Sequence, residues 1–233
     1  MKTALPLIAA LLLLSACASS PPPPDWKANA FSALHEYSSA YLSGNTRLAD
    51  LEFSRAQTEI SRTGRLDLMA RAELTRCAVH VASLDWAPCT AFDAYAKEAT
   101  VQEKAYATFL TGQWEGLNTE LLPVHYRNLV LQSTTLQAQG APAMSETPAS
   151  LLQSINDPLA RLIAASVLLK RQQLQASEWH LASDTASAQG WRRPLLAWLG
   201  LALKSAQATG KTEVAETLQR RIQLVLQANS KPQ

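Results

Sequence analysis

Two cysteines, a histidine and an aspartate lie close together in the first half of the chain. Cys77 and His80 are three residues apart, which places them on one face of a helix, and Asp85 and Cys89 follow shortly after. Thiolate and imidazole groups bind zinc, so one interpretation is a metal site, although the spacing matches no closed zinc pattern. A cysteine and a histidine held within hydrogen-bond reach in a cleft would instead form a nucleophile and its base.

Other catalytic motifs are absent from the sequence. It contains no His-Glu-x-x-His motif, no Gly-x-Ser-x-Gly motif and no glycine-rich phosphate loop. His35, His125 and His180 are isolated, and we interpret them as surface or partly buried helix residues. Trp26 and Trp86 lie at segment ends, where they are candidates for contact with a partner or the membrane interface. We therefore expect no enzyme activity, no cofactor and no metal.

The N-terminus carries a different kind of chemistry. Lys2 precedes an apolar run that is shorter than the roughly 20 residues needed to span a bilayer and has the length of a secretory signal. The run ends in Leu14-Ser15-Ala16-Cys17, which resembles the lipobox of bacterial lipoproteins. The resemblance implies cleavage before Cys17, diacylation of its thiol and acylation of the new amine. The alternative is a plain secretory signal with a chance cysteine.

Membrane attachment follows from this resemblance. Two or three acyl chains anchor a protein stably, whereas a single chain gives only marginal binding. The next residue is Ala18, rather than the Asp that tends to retain enterobacterial lipoproteins at the inner membrane. We therefore expect an anchor in the periplasm-facing leaflet of the outer membrane, with the inner membrane as the alternative. The prolines from Pro21 to Pro24 predict an extended spacer behind the anchor.

The same resemblance bears on the other two cysteines. If lipid occupies Cys17, then Cys77 and Cys89 remain in the oxidising periplasm, where such a pair favours a disulfide. A disulfide requires Cα atoms about 5.5 Å apart, which an extended connection from Asp85 to Pro88 allows. A pair of buried free thiols is the alternative.

Composition predicts an all-α body. The chain has 21 Lys and Arg against 19 Asp and Glu, and it has no basic block, so we expect no nucleic-acid partner. No segment alternates between apolar and polar residues like a half-buried strand. Among the predicted helices, one covers residues 88–99, one opens at a capping box from Thr100 to Glu103, and one runs from Pro158 to Gln175.

One local pattern resembles a repeat family. Ala49-x₃-Phe53-x₂-Ala56 is similar to the second-helix signature of tetratricopeptide repeats, and the segment from Leu196 to Leu203 is similar to the first-helix pattern. The resemblance implies antiparallel helical hairpins stacked as a solenoid, with a concave groove for a peptide or partner. An irregular helical bundle is the alternative architecture.

These patterns predict the organisation and role of the chain. The segments are a removed signal peptide (1–16), a lipidated Cys with a Pro-rich spacer (17–25), an N-terminal helical region (26–138), a linker (139–148), a C-terminal helical region (149–229) and a tail (230–233). The predicted function is a lipid-anchored periplasmic adaptor or scaffold for another cell-envelope protein. A small-ligand carrier and an envelope hydrolase are the alternatives. An aromatic-lined groove would favour the adaptor, a closed apolar cavity the carrier, and a closed pocket with His and carboxylates the hydrolase.

Overall fold

Polar capping side chains set the starts of several helices. The Asn45 side chain accepts a hydrogen bond from the Leu48 amide, and Asp157 caps a helix that has proline at its first position. Thr100 and Glu103 form the reciprocal hydrogen bonds of a capping box, which confirms that predicted helix start. These caps satisfy amide groups that a helix leaves without partners in its first turn.

The computed structural model describes residues 24–139 and 147–227. Over these residues the chain is all-α, which confirms the predicted fold class, with eleven α-helices, two short 3-10 helices and no strand. The helices are α1 (Asp25–Ser43), α2 (Thr46–Ser61), α3 (Leu66–Ala82), α4 (Thr90–Asp93), α5 (Val101–Thr111), α6 (Val124–Gln139), α7 (Pro148–Ser154), α8 (Pro158–Lys170), α9 (Trp179–Ala188), α10 (Arg192–Ala208) and α11 (Thr212–Gln227). The predicted lipobox, the spacer up to residue 23, the linker residues 140–146 and the tail lie outside the described residues.

Helices α3 and α8 lie at the centre of the packing. Helix α3 contacts α1, α2, α4, α5 and α8, and α8 also contacts α5, α7 and α9. Helix α10 packs against α9 and α11 and returns to contact α1. One hydrophobic cluster, which includes the fully buried Trp114 and Trp198, joins the predicted N-terminal and C-terminal regions. The described residues contain no candidate for a membrane-spanning helix.

Two predicted helices are shorter in the structure. The helix expected over 88–99 is reduced to α4, after which amide groups from Tyr95 onward bond to carbonyls three residues back, as in tight turns. The helix expected to reach Gln175 ends at Lys170. There Gln172 adopts a left-handed φ of 59°, and the Gln173 amide donates to the Leu168 carbonyl over 2.8 Å. This helix-ending motif normally uses glycine, so its sequence signal is missing.

Candidate functional site

A disulfide lies at the junction of α3 and α4. It joins Cys77, buried on α3, to Cys89, which directly precedes α4, and the two Cα atoms are 5.8 Å apart. The predicted disulfide is therefore confirmed. Because both sulfur atoms belong to this bond, neither supplies the thiolate that a zinc site or a nucleophilic cysteine needs. Across the described ranges, no group of three or more His, Cys, Asp and Glu side chains is placed to hold a metal ion.

The disulfide fixes the end of the connection from α3 to α4, residues 83–89, which we call the disulfide loop. Leu84 turns the chain out of α3 with a positive φ of 61°. The Asp85 carboxylate accepts a hydrogen bond of 3.2 Å from the backbone amide two residues ahead. The Trp86 indole Nε1 donates to the hydroxyl of the fully buried Ser166 on α8 over 2.8 Å. The loop is thus held at its end by the disulfide and at its middle by a hydrogen bond to a central helix.

His80 connects the disulfide loop to Tyr41 of α1, which in turn contacts α10. Its Nδ1 lies 2.9 Å from Asp85 Oδ2, and its ring stacks on Tyr41 of α1 with the centroids 4.4 Å apart. The Arg193 guanidinium of α10 lies 4.1 Å from the centre of the Tyr41 ring. Burial lowers the pKa of His80, and the Asp85 carboxylate opposes this effect only in part. Burial therefore favours the neutral form of the imidazole.

A groove of about 520 Å³ lies between the disulfide loop, α4 and α5, and we call it the loop groove. Its apolar lining includes the buried side chains of Val81, Phe92 and Leu110. Trp86, with 37% of its surface exposed, contributes an aromatic wall. The volume falls within the roughly 300–1,000 Å³ that ligand sites occupy. A groove of this size with an apolar lining suits a ligand that carries apolar groups.

Charged side chains flank the loop groove. Lys104 of α5, Lys170 at the end of α8 and Asp93 at the end of α4 all line it and are exposed to solvent. The Lys104 ammonium also donates to the Lys97 carbonyl over 3.3 Å. Two ammonium groups against one carboxylate leave the rim with a net positive charge. Such a rim favours a ligand that carries an acidic group.

The disulfide loop also lines a smaller cavity of about 270 Å³, which contains His80 and Asp85. Glu73 of α3 lies there with only 4% of its surface exposed. It accepts a hydrogen bond of 2.9 Å from Gln57 and forms an ion pair of 3.0 Å with Arg76. The His80 ring faces a carboxylate and an aromatic ring, rather than a hydroxyl or thiol that it could activate.

The three other histidines considered in the sequence analysis do not lie together in the structure. His35 is exposed on α1, His125 meets the ring of its neighbour Tyr126 edge-on, and His180 bonds to a backbone carbonyl one turn away. Each of these histidines belongs to a different helix. Cys17 lies outside the described residues, so its lipidation stays a prediction.

Sequence spacing did not identify the loop groove. Phe92, Lys104 and Lys170 come from three helices, α4, α5 and α8, and meet only because all three helices pack against α3. Arg193 and Tyr41, which support His80, are separated by 152 residues. Trp86 was the exception, because an aromatic residue at a segment end was already a candidate for partner contact. The structure shows that its indole nitrogen is fixed while part of its surface stays exposed.

Comparison with known proteins found no similar protein. No protein-family model, no curated protein and no solved structure matches the chain. The fold and the site define an all-α protein with a disulfide-braced groove. Any statement about its function therefore depends on the chemistry of the groove and on the N-terminal sequence.

Proposed function

We propose that the chain is a lipid-anchored periplasmic adaptor whose loop groove binds a segment of another cell-envelope protein. The groove itself supports this proposal most directly, with its apolar floor, the partly exposed Trp86 and a rim that bears Lys104 and Lys170. A peptide buries its apolar side chains on such a floor while its carboxylates meet the ammonium groups. The occupant is therefore a peptide segment with apolar residues next to Asp, Glu or a chain-terminal carboxylate.

The lipid anchor and the outer-membrane location are part of this proposal. The lipobox-like segment from Leu14 to Cys17 supports the anchor, and Ala18 supports the outer membrane. The disulfide in the body agrees with an oxidising compartment such as the periplasm. In cells grown with labelled palmitate, we expect label on the natural chain and none on Cys17→Ser. Label that persists on Cys17→Ser would contradict the anchor.

The carrier and hydrolase alternatives receive less support. A carrier encloses its ligand, whereas Lys104, Lys170 and Asp93 leave the rim of the loop groove in contact with solvent. A hydrolase needs an activated nucleophile, whereas the described contacts of the nearest imidazole, His80, are with the Asp85 carboxylate and the Tyr41 ring and include no hydroxyl or thiol. The adaptor is the function that the groove supports best.

We also propose that the body is an irregular bundle rather than an open solenoid. In a solenoid each repeat contacts only its neighbours. Here α10 contacts α1, and its Arg192 and Arg193 side chains donate to the Gly44 and Tyr41 carbonyls, 148 and 152 residues away in sequence. Contacts between such distant parts of the chain support a closed arrangement of helices.

Selection from a displayed peptide library tests the groove. We expect the purified protein to enrich peptides with apolar and acidic residues side by side, and Lys104→Glu/Lys170→Glu to lose them. Lys204→Glu/Lys211→Glu makes the same charge change at exposed residues outside the loop groove, and it should bind like the natural chain. Equal binding by the two double variants, or enrichment of peptides without carboxylates, would refute the proposed occupant.

A further inference from the structure

Exposed apolar side chains lie near the beginnings of α1 and α3. Phe31, in the second turn of α1, has 75% of its surface exposed, and Leu66, at the start of α3, has 50% exposed. Lys27 and His35, one turn before and after Phe31, are also exposed and share its face. A side chain this exposed buries little of its apolar surface in the core, so most of that surface is available for contact with a partner.

The hairpin geometry places Phe31 and Leu66 at the same end. Helices α1 and α2 run antiparallel, since the Tyr37 and Phe53 rings pack with their centroids 5.0 Å apart on either side of the turn at Gly44. Helix α3 begins after a short turn of residues 62–65, so its start lies beside the end of α2 and the beginning of α1. We call residues 25–31 and 59–67 the tether end.

The length of the tether limits how far this end lies from a membrane. Residue 17 is seven positions before Pro24, and an extended chain covers at most about 3.6 Å per residue, or about 25 Å in all. The opposite end of the hairpin, at Gly44, is about 30 Å away along α1, at about 1.5 Å per residue. A lipid on Cys17 therefore keeps the tether end within about 25 Å of the bilayer, whereas the Gly44 end can lie about 30 Å farther away.

The formal charges at the tether end cancel. Three basic and three acidic side chains lie there: Lys27, Arg62, Arg65, Asp25, Glu59 and Asp67. Arg62 pairs with Glu59 at 2.9 Å, and Arg65 pairs with Asp67. A patch without net charge gains little from anionic headgroups, whereas an exposed aromatic ring gains by entering the membrane interface.

We propose that the tether end contacts the bilayer surface that holds the Cys17 lipid, with Phe31 and Leu66 inserted among the headgroups. This inference rests on the lipid anchor of the proposed function. The contact is apolar, so it needs no anionic lipid and persists in high salt. This contact adds a second point of attachment to the lipid anchor. Together they fix the orientation of the body, including the loop groove, relative to the membrane.

An environment-sensitive fluorescent amino acid at position 31 of the full-length lipidated protein tests this contact. The matched control carries the probe at Leu51 of α2, which is 63% exposed and lies nearer the Gly44 end of the hairpin. In phosphatidylcholine vesicles, we expect brominated lipids to quench the probe at position 31 and to leave the probe at position 51 unchanged. Melting temperatures in detergent check that both replacements preserve the fold.

Vesicle flotation separates this inference from the anchor. Protein that floats with the vesicles but shows no extra quenching at position 31 overturns the contact and leaves the anchor standing. Protein that does not float overturns both. Quenching that disappears in high salt overturns the apolar contact, because it makes the attraction electrostatic.

Discussion

Removal of the Cys77–Cys89 disulfide should lower the free energy of unfolding by about 3 kcal/mol. The cysteines are separated by 12 positions in sequence. In the chain-entropy model, closing a loop of about 13 residues lowers the entropy of the unfolded chain by about 10 cal/mol/K, which is about 3 kcal/mol at 25 °C. At about 2–4 °C per kcal/mol for a domain of this size, the melting temperature should fall by about 6–12 °C.

Urea unfolding of the natural chain and of Cys77→Ala/Cys89→Ala measures this difference. The double substitution leaves no unpaired thiol at the site. Reductant should shift the natural chain by the same amount and leave the variant unchanged. The variant should also bind acidic peptides more weakly, because the disulfide loop forms a wall of the groove. Equal midpoints for the natural chain with and without reductant would refute the stabilising role of the bond.

Three further substitutions test individual contacts. Gln172→Gly should raise stability by about 1 kcal/mol in thermal unfolding, because glycine adopts the left-handed φ of 59° without strain, whereas Gln189→Gly, at a right-handed position, should not. Trp86→Phe should cost about 1 kcal/mol, and a double-mutant cycle with Ser166→Ala should show coupling; additive effects would contradict the hydrogen bond. Between pH 7 and pH 5, the free energy of unfolding should fall less for His80→Gln than for the natural chain. Burial lowers the folded-state pKa of His80, so acid favours the unfolded chain as the pH falls below about 6.5; an unchanged pH profile of urea midpoints would contradict this role.

Local signals made the helical class and several helix starts predictable. Thr100 and Glu103 predict a helix start because their side chains form hydrogen bonds with backbone amides of the same turn. The end of α8 was not predictable, since Gln172 takes the conformation that glycine usually takes there. The helix predicted over residues 88–99 is shorter for a related reason, because nothing in its composition marks the change after Phe92 to hydrogen bonds that reach back only three residues.

The candidate site was likewise predictable only in part. Cys77 and Cys89 were paired by chemistry and compartment, which are visible in the sequence. The loop groove depends on how α5 and α8 pack around the disulfide loop, and Lys104 and Lys170 are ordinary surface lysines until that packing places them on one rim. The stack of Arg193 and Tyr41 beside His80 likewise joins distant segments, so residue spacing within either segment does not predict the contact.

Photo-crosslinking in cells tests most directly whether the loop groove receives a peptide. A photoreactive amino acid at Thr108, which is exposed and lines the groove, should crosslink to one segment of an envelope protein that carries acidic residues beside the attachment point. The crosslink should disappear in Lys104→Glu/Lys170→Glu. A probe at Val124, which is 77% exposed and lies outside the groove, should not form it. The same products from both positions, or a crosslink that survives the charge reversal, would contradict the proposal.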